Sequence, residues 1–362
     1  MDNLFSKYRI VNVGIPHVEK PKASVLVIYT GGTLGMVHDK SGSLVSIKFN
    51  QISSHIPSLK VLGLKITVIS FPDPIDSSNV NIEDWKDLGY IIYENYHQYD
   101  GFVVLHGTDT MSFTASAISF MLQGLNKPIV FTGAQLPISA IRSDARANFI
   151  TSLEIAAARK DGRPIVPEVC IYFDYQLMRG NRTFKKRSSQ FAAFGTENYP
   201  ILAKAGISIT YFEANIKPYS PAEKLVYRDK FDNDVIVVKI FPSLKEKFFR
   251  QIMSIPGLKG IVLETYGSGN ATTQSWFLDV LRETVDRGVV IYNVSQLIGG
   301  MVIHGRYETS KYMDDIGVIP GSDITTEAAL TKLMFLLANE SDTSEVKRKL
   351  AIPLCGELTL PG

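Results

Sequence analysis

Two short stretches place hydroxyl groups where a chain should turn. "VLVIYTGGTLGM", residues 25–36, is an apolar run broken by two glycines, with Thr33 at the break; "FVVLHGTDTMSFTASAISF", residues 102–120, repeats the arrangement with Thr108, Asp109 and Thr110. A threonine hydroxyl attacks an amide or ester only when a base or relay takes its proton and donors await the oxyanion, so the company these residues keep decides their use. A third loop, "PDPIDSSNVN" at 72–81, offers Asp76, Ser77 and Ser78, which suit the charged end of an amino acid or an ordinary Asx or Ser turn. A fourth stretch, "RGNRTFKKRSSQF" at 179–191, carries five cations between Arg179 and Arg187. Such a run usually forms a solvated basic face, but one lysine beside a hydroxyl, Lys185 or Lys186, can act as a proton relay.

Other chemistries fit poorly. The glycine turn at 31–35 lacks the G-x-G-x-x-G spacing of a dinucleotide site and the G-K-[ST] of a P-loop. No G-x-S-x-G elbow is present, and the histidines (His17, His38, His55, His97, His106, His304) show no paired metal-ligand spacing, so neither a metal nor a cofactor is expected. His106, at the end of a strand, reads as a structural hydrogen-bonding residue. For the Thr108–Thr110 cluster, helix capping is the competing reading, yet capping requires one polar side chain and the cluster supplies more.

The elements that must hold these residues are legible from periodicity. Apolar runs at 24–29, 65–71, 101–105, 128–131 and 169–173 lack two-residue alternation, as expected for strands of a parallel sheet buried on both faces. Helical spacing at 81–96 and 114–123 alternates with them, which indicates βαβ units and an α/β fold. Ligands of open α/β sheets bind beyond the carboxyl ends of the strands, where both hydroxyl-bearing turns fall. The pattern lapses at 211–234 and then resumes, with strands at 235–240, 260–263 and 289–294 and helices at 275–287 and 325–339. The expected organisation is a larger N-terminal α/β domain at 1–212, a linker at 213–234 and a smaller C-terminal α/β domain at 235–362.

The chain has 362 residues, of which 45% are hydrophobic and 20% charged, enough for two folded cores. Its 38 basic and 36 acidic residues leave a formal charge of +2, which gives no general attraction to nucleic acid or to an anionic membrane and favours a small-molecule partner. Two cysteines, Cys170 and Cys355, build no disulfide framework. The first twenty residues lack the apolar stretch of a signal peptide, and no run approaches the length of a membrane helix, so a cytoplasmic protein is expected.

The pairing of "YTGGTLGM" with "LHGTDTMSFTASAISFML" resembles the bacterial-type L-asparaginases, and more closely their cytoplasmic type I branch. Further similarity runs through "FTGAQLP", "IRSDARANF", "RGNRTFKK", "YGSGNA" and "IPGSDITTEAALTKL". The resemblance implies a flavodoxin-like N-terminal domain, homodimers or homotetramers, and cofactor-free hydrolysis of L-asparagine to L-aspartate and ammonia. It matches Thr33 to the nucleophile, Thr108, Asp109 and Lys185 to a Thr-Asp-Lys relay, Ser77 with Asp76 and Ser78 to the α-carboxylate loop, Asp109 to the α-amino contact, and Asn270, from a second subunit, to a further substrate contact. The family's lid tyrosine corresponds to about Ser43, and the arginine and cysteine of an allosteric site seen in some type I members correspond to Glu264 and Leu297, so neither device is expected to carry over. A glutaminase preference, a tRNA-linked amidohydrolase and a silent amino-acid sensor are the alternatives on the same fold.

Overall fold

The computed structural model describes residues 8–13, 21–38, 44–46, 56, 59, 61–305 and 308–360. The chain divides into two compact units, residues 1–227 and 228–362. Residues 213–234, expected as a linker, are shared between them. Within the first unit, Lys217 pairs with Glu223, Asn126 bonds Ser220, and Val226–Tyr227 pairs with Leu122–Gln123.

The first unit is built on β1 (Arg9–Val13), β2 (Ser24–Gly31), β3 (Lys65–Ile75), β4 (Gly101–Leu105), β5 (Ile129–Thr132), β6 (Val169–Phe173), β7 (Gln176–Arg179), β8 (Ala203–Ala205) and β9 (Ile209–Tyr211). They form one sheet of order β1-β3-β2-β4-β5-β6-β7-β8-β9. The five central strands are parallel, and numbered among themselves they run 2-1-3-4-5, the flavodoxin order. Antiparallel strands extend both edges. Every residue of β4 and β6 is buried, as is β2 from Val25 onward, which explains the missing alternation. On one face Val25, Val27, Val103 and Val130 meet Phe149 and Leu153 of α3 (Ala145–Ala157). Helices α1 (Ile82–Asn95) and α2 (Met111–Met121) pack on each other, and α2 also packs on β6.

Strand order reverses between β2 and β4, so the crevice that an α/β sheet offers to ligands opens beyond Gly31 and Leu105. Thr33 follows the first of these strands and Thr108 the second. Thr30 Oγ1 donates to Leu105 O at 3.0 Å and ties the two strand ends together.

The second unit has a four-stranded, all-parallel sheet, β10 (Val235–Lys239), β11 (Gly260–Thr265), β12 (Val290–Ser295) and β13 (Ile319–Pro320), in sequence order. Phe249 of α4 (Glu246–Met253) and Phe277 of α5 (Ser275–Asp286) stack at 4.7 Å inside its core. After α6 (Glu308–Ile316), α7 (Thr326–Asn339) and α8 (Thr343–Leu350), the chain closes over a buried ion pair between Lys332 Nζ and Glu357 Oε1, 2.7 Å apart. The ammonium also donates to Leu350 O and Ile352 O, and the carboxylate accepts from the amides of Leu354 and Cys355. Among the described residues no helix is long and apolar enough to cross a membrane.

Removing one member of that pair strands the other charge. Lys332→Met should destabilise the second unit by about 3–5 kcal/mol in urea unfolding, whereas Lys332→Met with Glu357→Leu should recover most of the loss. Equal losses in the single and double variants would contradict the buried pairing.

Candidate active site

Three turns meet at the reversal point because glycine lets them. Gly32 has a φ of 88°, and a Cβ there would lie 2.5 Å from Gly107 N. A Cβ on Gly107 would in turn lie 2.5 Å from Ser77 Oγ. Only bare backbone permits this approach, which stacks the turns following β2, β3 and β4 on one another. Thr33 then opens a single 3-10 turn, Thr33–Gly35, and is half-buried. Tyr29 donates to Gly35 O and the Ile138 amide to Leu34 O, which fix that turn from below.

In the turn after β4, Thr108 is 7% exposed, and Lys185 Nζ donates to its Oγ1 at 2.8 Å and to Asp109 Oδ1 at 2.6 Å. One ammonium thus bridges a hydroxyl and a carboxylate, the arrangement needed to pass a proton between them. The Asp109 amide donates to Ser77 Oγ at 3.3 Å, and Thr110 Oγ1 donates to Ser77 O at 2.7 Å. Thr110 is the N-cap of α2 but makes no side-chain capping bond. The cluster therefore does not act as a cap; its side chains face the neighbouring loop and the lysine.

The basic run is a solvated face only at Lys186 and Arg187, which are exposed. Arg179 and Arg182 are buried, with their guanidinium groups 4.3 and 5.1 Å from the centre of the Tyr199 ring. Arg179 Nε donates to Glu168 at 2.5 Å, and Thr183 Oγ1 donates to Arg179 O. This anchor leads into the pairing of Phe184–Lys185 with Phe194–Gly195, which carries Lys185 to Thr108. Lys186 lies 3.7 Å from Glu197 instead, so the two adjacent lysines, equivalent by spacing, have different partners. Nothing in the sequence marks Glu168 or Tyr199 as supports for this segment.

Asp76 and Ser78 are exposed, and Asp76 Oδ1 accepts from the Ser78 amide, a local turn bond. Ser77, between them, is 4% exposed and belongs to the contact with Gly107 and Asp109. Asn270 lies in the second unit, where its backbone closes a tight turn with Tyr266. Glu264 accepts from Thr326 Oγ1, and Leu297 is exposed. Ser43 lies outside the described residues.

His106 is buried at the end of β4, with Nδ1 2.7 Å from Gly107 O and Nε2 3.0 Å from Thr114 Oγ1. Burial pushes its pKa down to about 4, against a smaller opposing pull from the Gly107 carbonyl. The imidazole is therefore neutral and structural.

With this geometry in view, residues 24–217 match the family described as Asparaginase, N-terminal, and residues 234–350 match the Glutaminase/Asparaginase C-terminal domain. The chain belongs to the asparaginase family. Among curated relatives of this family, L-asparaginase 1 of Escherichia coli (strain K12) is 38% identical over 346 residues, covering 93% of this chain and 98% of the relative. Solved asparaginase-family structures agree. L-asparaginase I of Vibrio cholerae O1 is 34% identical with a TM-score of 0.84, covering 93% of this chain and 99% of its own. The thermostable L-asparaginase of Thermococcus kodakarensis is 32% identical at the same TM-score of 0.84, again over 93% and 99% of the two chains.

His106 gives this asparaginase-family fold a defined pH response. Its pKa lies near 4 when folded, against 6.5 in a free histidine, so the fold holds the neutral form. That contribution is complete above pH 6.5 and is lost as pH falls toward 4, at a total of roughly 3 kcal/mol. In a Trp276→Phe background, urea unfolding of the first unit can be followed by Trp85 emission, the chain having two tryptophans. His106→Asn should then flatten the stability loss between pH 7 and 4.5 by about 2–3 kcal/mol; an unchanged slope would refute the assignment.

Proposed function

We propose that this chain is an L-asparaginase: it hydrolyses L-asparagine to L-aspartate and ammonia through a threonine nucleophile and an acyl-enzyme. The observation that carries the reading is the Lys185 ammonium bridging Thr108 and Asp109 at the strand end next to the one that bears Thr33. Family membership over both units supports the reaction class.

In the first step the Thr33 hydroxyl adds to the side-chain amide carbon of asparagine, and its proton leaves through the Thr108, Lys185 and Asp109 relay. Backbone amides of the glycine-bearing turns stabilise the oxyanion. Collapse of the tetrahedral intermediate breaks the C–N bond, and the relay returns a proton to the departing ammonia. Water activated by the same relay then cleaves the ester and releases L-aspartate, so one difficult amide hydrolysis becomes two easier transfers. Ser77, flanked by Asp76 and Ser78, receives the α-carboxylate, Asp109 holds the α-amino group, and Asn270 comes from a second subunit of a homodimer or homotetramer. The near-neutral charge balance and the two free cysteines fit a cytoplasmic enzyme acting on a small molecule.

Ammonia release should be measured over a concentration series of L-asparagine and L-glutamine. Turnover of asparagine should be favoured, and Thr33→Ala should lower kcat by about a thousandfold or more without loss of the fold. Lys185→Met should lower kcat more than it raises KM. Normal turnover by the Thr33 variant would defeat the nucleophile assignment, and an acyl group trapped on Thr108 would transfer that role.

A further inference from the structure

A continuous chain of buried hydrogen bonds runs beneath the site. Trp85, Thr114 and His106 are all buried. Trp85 Nε1 lies 3.1 Å from Thr114 Oγ1, which lies 3.0 Å from His106 Nε2, while His106 Nδ1 lies 2.7 Å from Gly107 O. For a neutral imidazole the protons on this chain have one consistent arrangement. An indole N–H can only donate and a carbonyl can only accept. Thr114 oxygen therefore receives the indole proton and gives its own to His106 Nε2, which leaves the imidazole proton on Nδ1, donated to Gly107 O.

The ends of the chain are specific. Trp85 is the fourth residue of α1, the helix that leaves the Asp76–Ser78 loop, and Thr114 is the fourth residue of α2, the helix that leaves the Thr108 turn. Two other hydroxyls of α2 turn back to their own helix, Ser116 to Ser112 O and Ser119 to Ala115 O; Thr114 instead bridges to a neighbouring helix and a strand end. The acceptor at the far end, Gly107, is the residue wedged against Gly32 and Ser77 and directly precedes Thr108.

We propose that Trp85, Thr114 and His106 are positioning residues, which hold the Gly107 peptide so that Thr108 and Asp109 meet Lys185, and which lock the Asp76–Ser78 loop to that turn. The inference rests on the amidohydrolase reading for its kinetic consequence, but not for its proton arrangement. A buried histidine that merely filled space would need no fixed tautomer and no indole donor behind it. Here the imidazole is neutral because it is desolvated, and its single proton is committed to the site's own backbone.

The test uses Thr114→Val, which keeps shape and removes the hydroxyl, and Thr114→Ser, which keeps the hydroxyl and removes the methyl. In histidine-15N-labelled wild-type protein near pH 7, His106 should show the neutral Nδ1–H tautomer. Thr114→Val should lower kcat for asparagine by about tenfold or more with a smaller change in KM, since a displacement of about 1 Å at a reacting group is enough for such losses. Thr114→Ser should restore most of it, and melting temperatures should show all three proteins folded. An Nε2–H or cationic imidazole, a wild-type kcat in Thr114→Val, or equal losses in both variants would each overturn the proposal. A wild-type protein that releases no ammonia from either amide would overturn the functional reading instead, and the tautomer would still test the hydrogen-bond chain.

Discussion

The contact on which the site depends is a close approach of turns, where the backbones of Gly32 and Gly107 meet and Gly107 lies against the Ser77 side chain. A single added carbon at either glycine would push apart two turns that must share one crevice. Three features of the first unit support that approach. The central strands put the turns at adjacent ends, Thr30 ties those ends together, and the buried arginine pair around Tyr199 anchors the segment that brings Lys185 to Thr108. The glycines of the opening motif are thus explained by neighbours distant in sequence, not by a phosphate.

The strands of the parallel core were readable because burial on both faces leaves a signature, an unbroken apolar run, that few other elements share. The runs at 101–105 and 169–173 coincide with β4 and β6 as observed. The antiparallel strands β7, β8 and β9 were not readable, since they are three or four residues long and too short for a period to show. Helix α2 begins three residues before the apolar spacing suggested, at Met111, because its first turn is held by backbone bonds and by Thr110 on Ser77 rather than by an apolar stripe.

Of the candidate site, the two threonines and Asp109 stand out in sequence because hydroxyls and a carboxylate crowd a glycine turn. Their partner does not. Lys185 is separated from Asp109 by 76 positions, and only the fold distinguishes it from Lys186. The five cations from Arg179 to Arg187 read as a solvated face because charge is normally exposed, which holds for Lys186 and Arg187; the exception is Arg179, paired with Glu168, together with Arg182, both lying over the Tyr199 ring inside the protein. Trp85 and Thr114 carry no local signal, as their importance lies in what stands behind His106.

Because Thr33 and Thr108 extend from neighbouring central strands, the separation of their turns is inherited from the spacing between two strands of the sheet, about 4.8 Å. Sheet centres are commonly the last part of a domain to open, and backbone amides there exchange with solvent only on global unfolding. The relation between the two hydroxyl-bearing turns is accordingly as rigid as the core itself. Fluctuations that fray the short edge strands leave the spacing of these two strand ends unchanged, whereas the Phe184–Lys185 segment, paired outside the large sheet, opens independently of it.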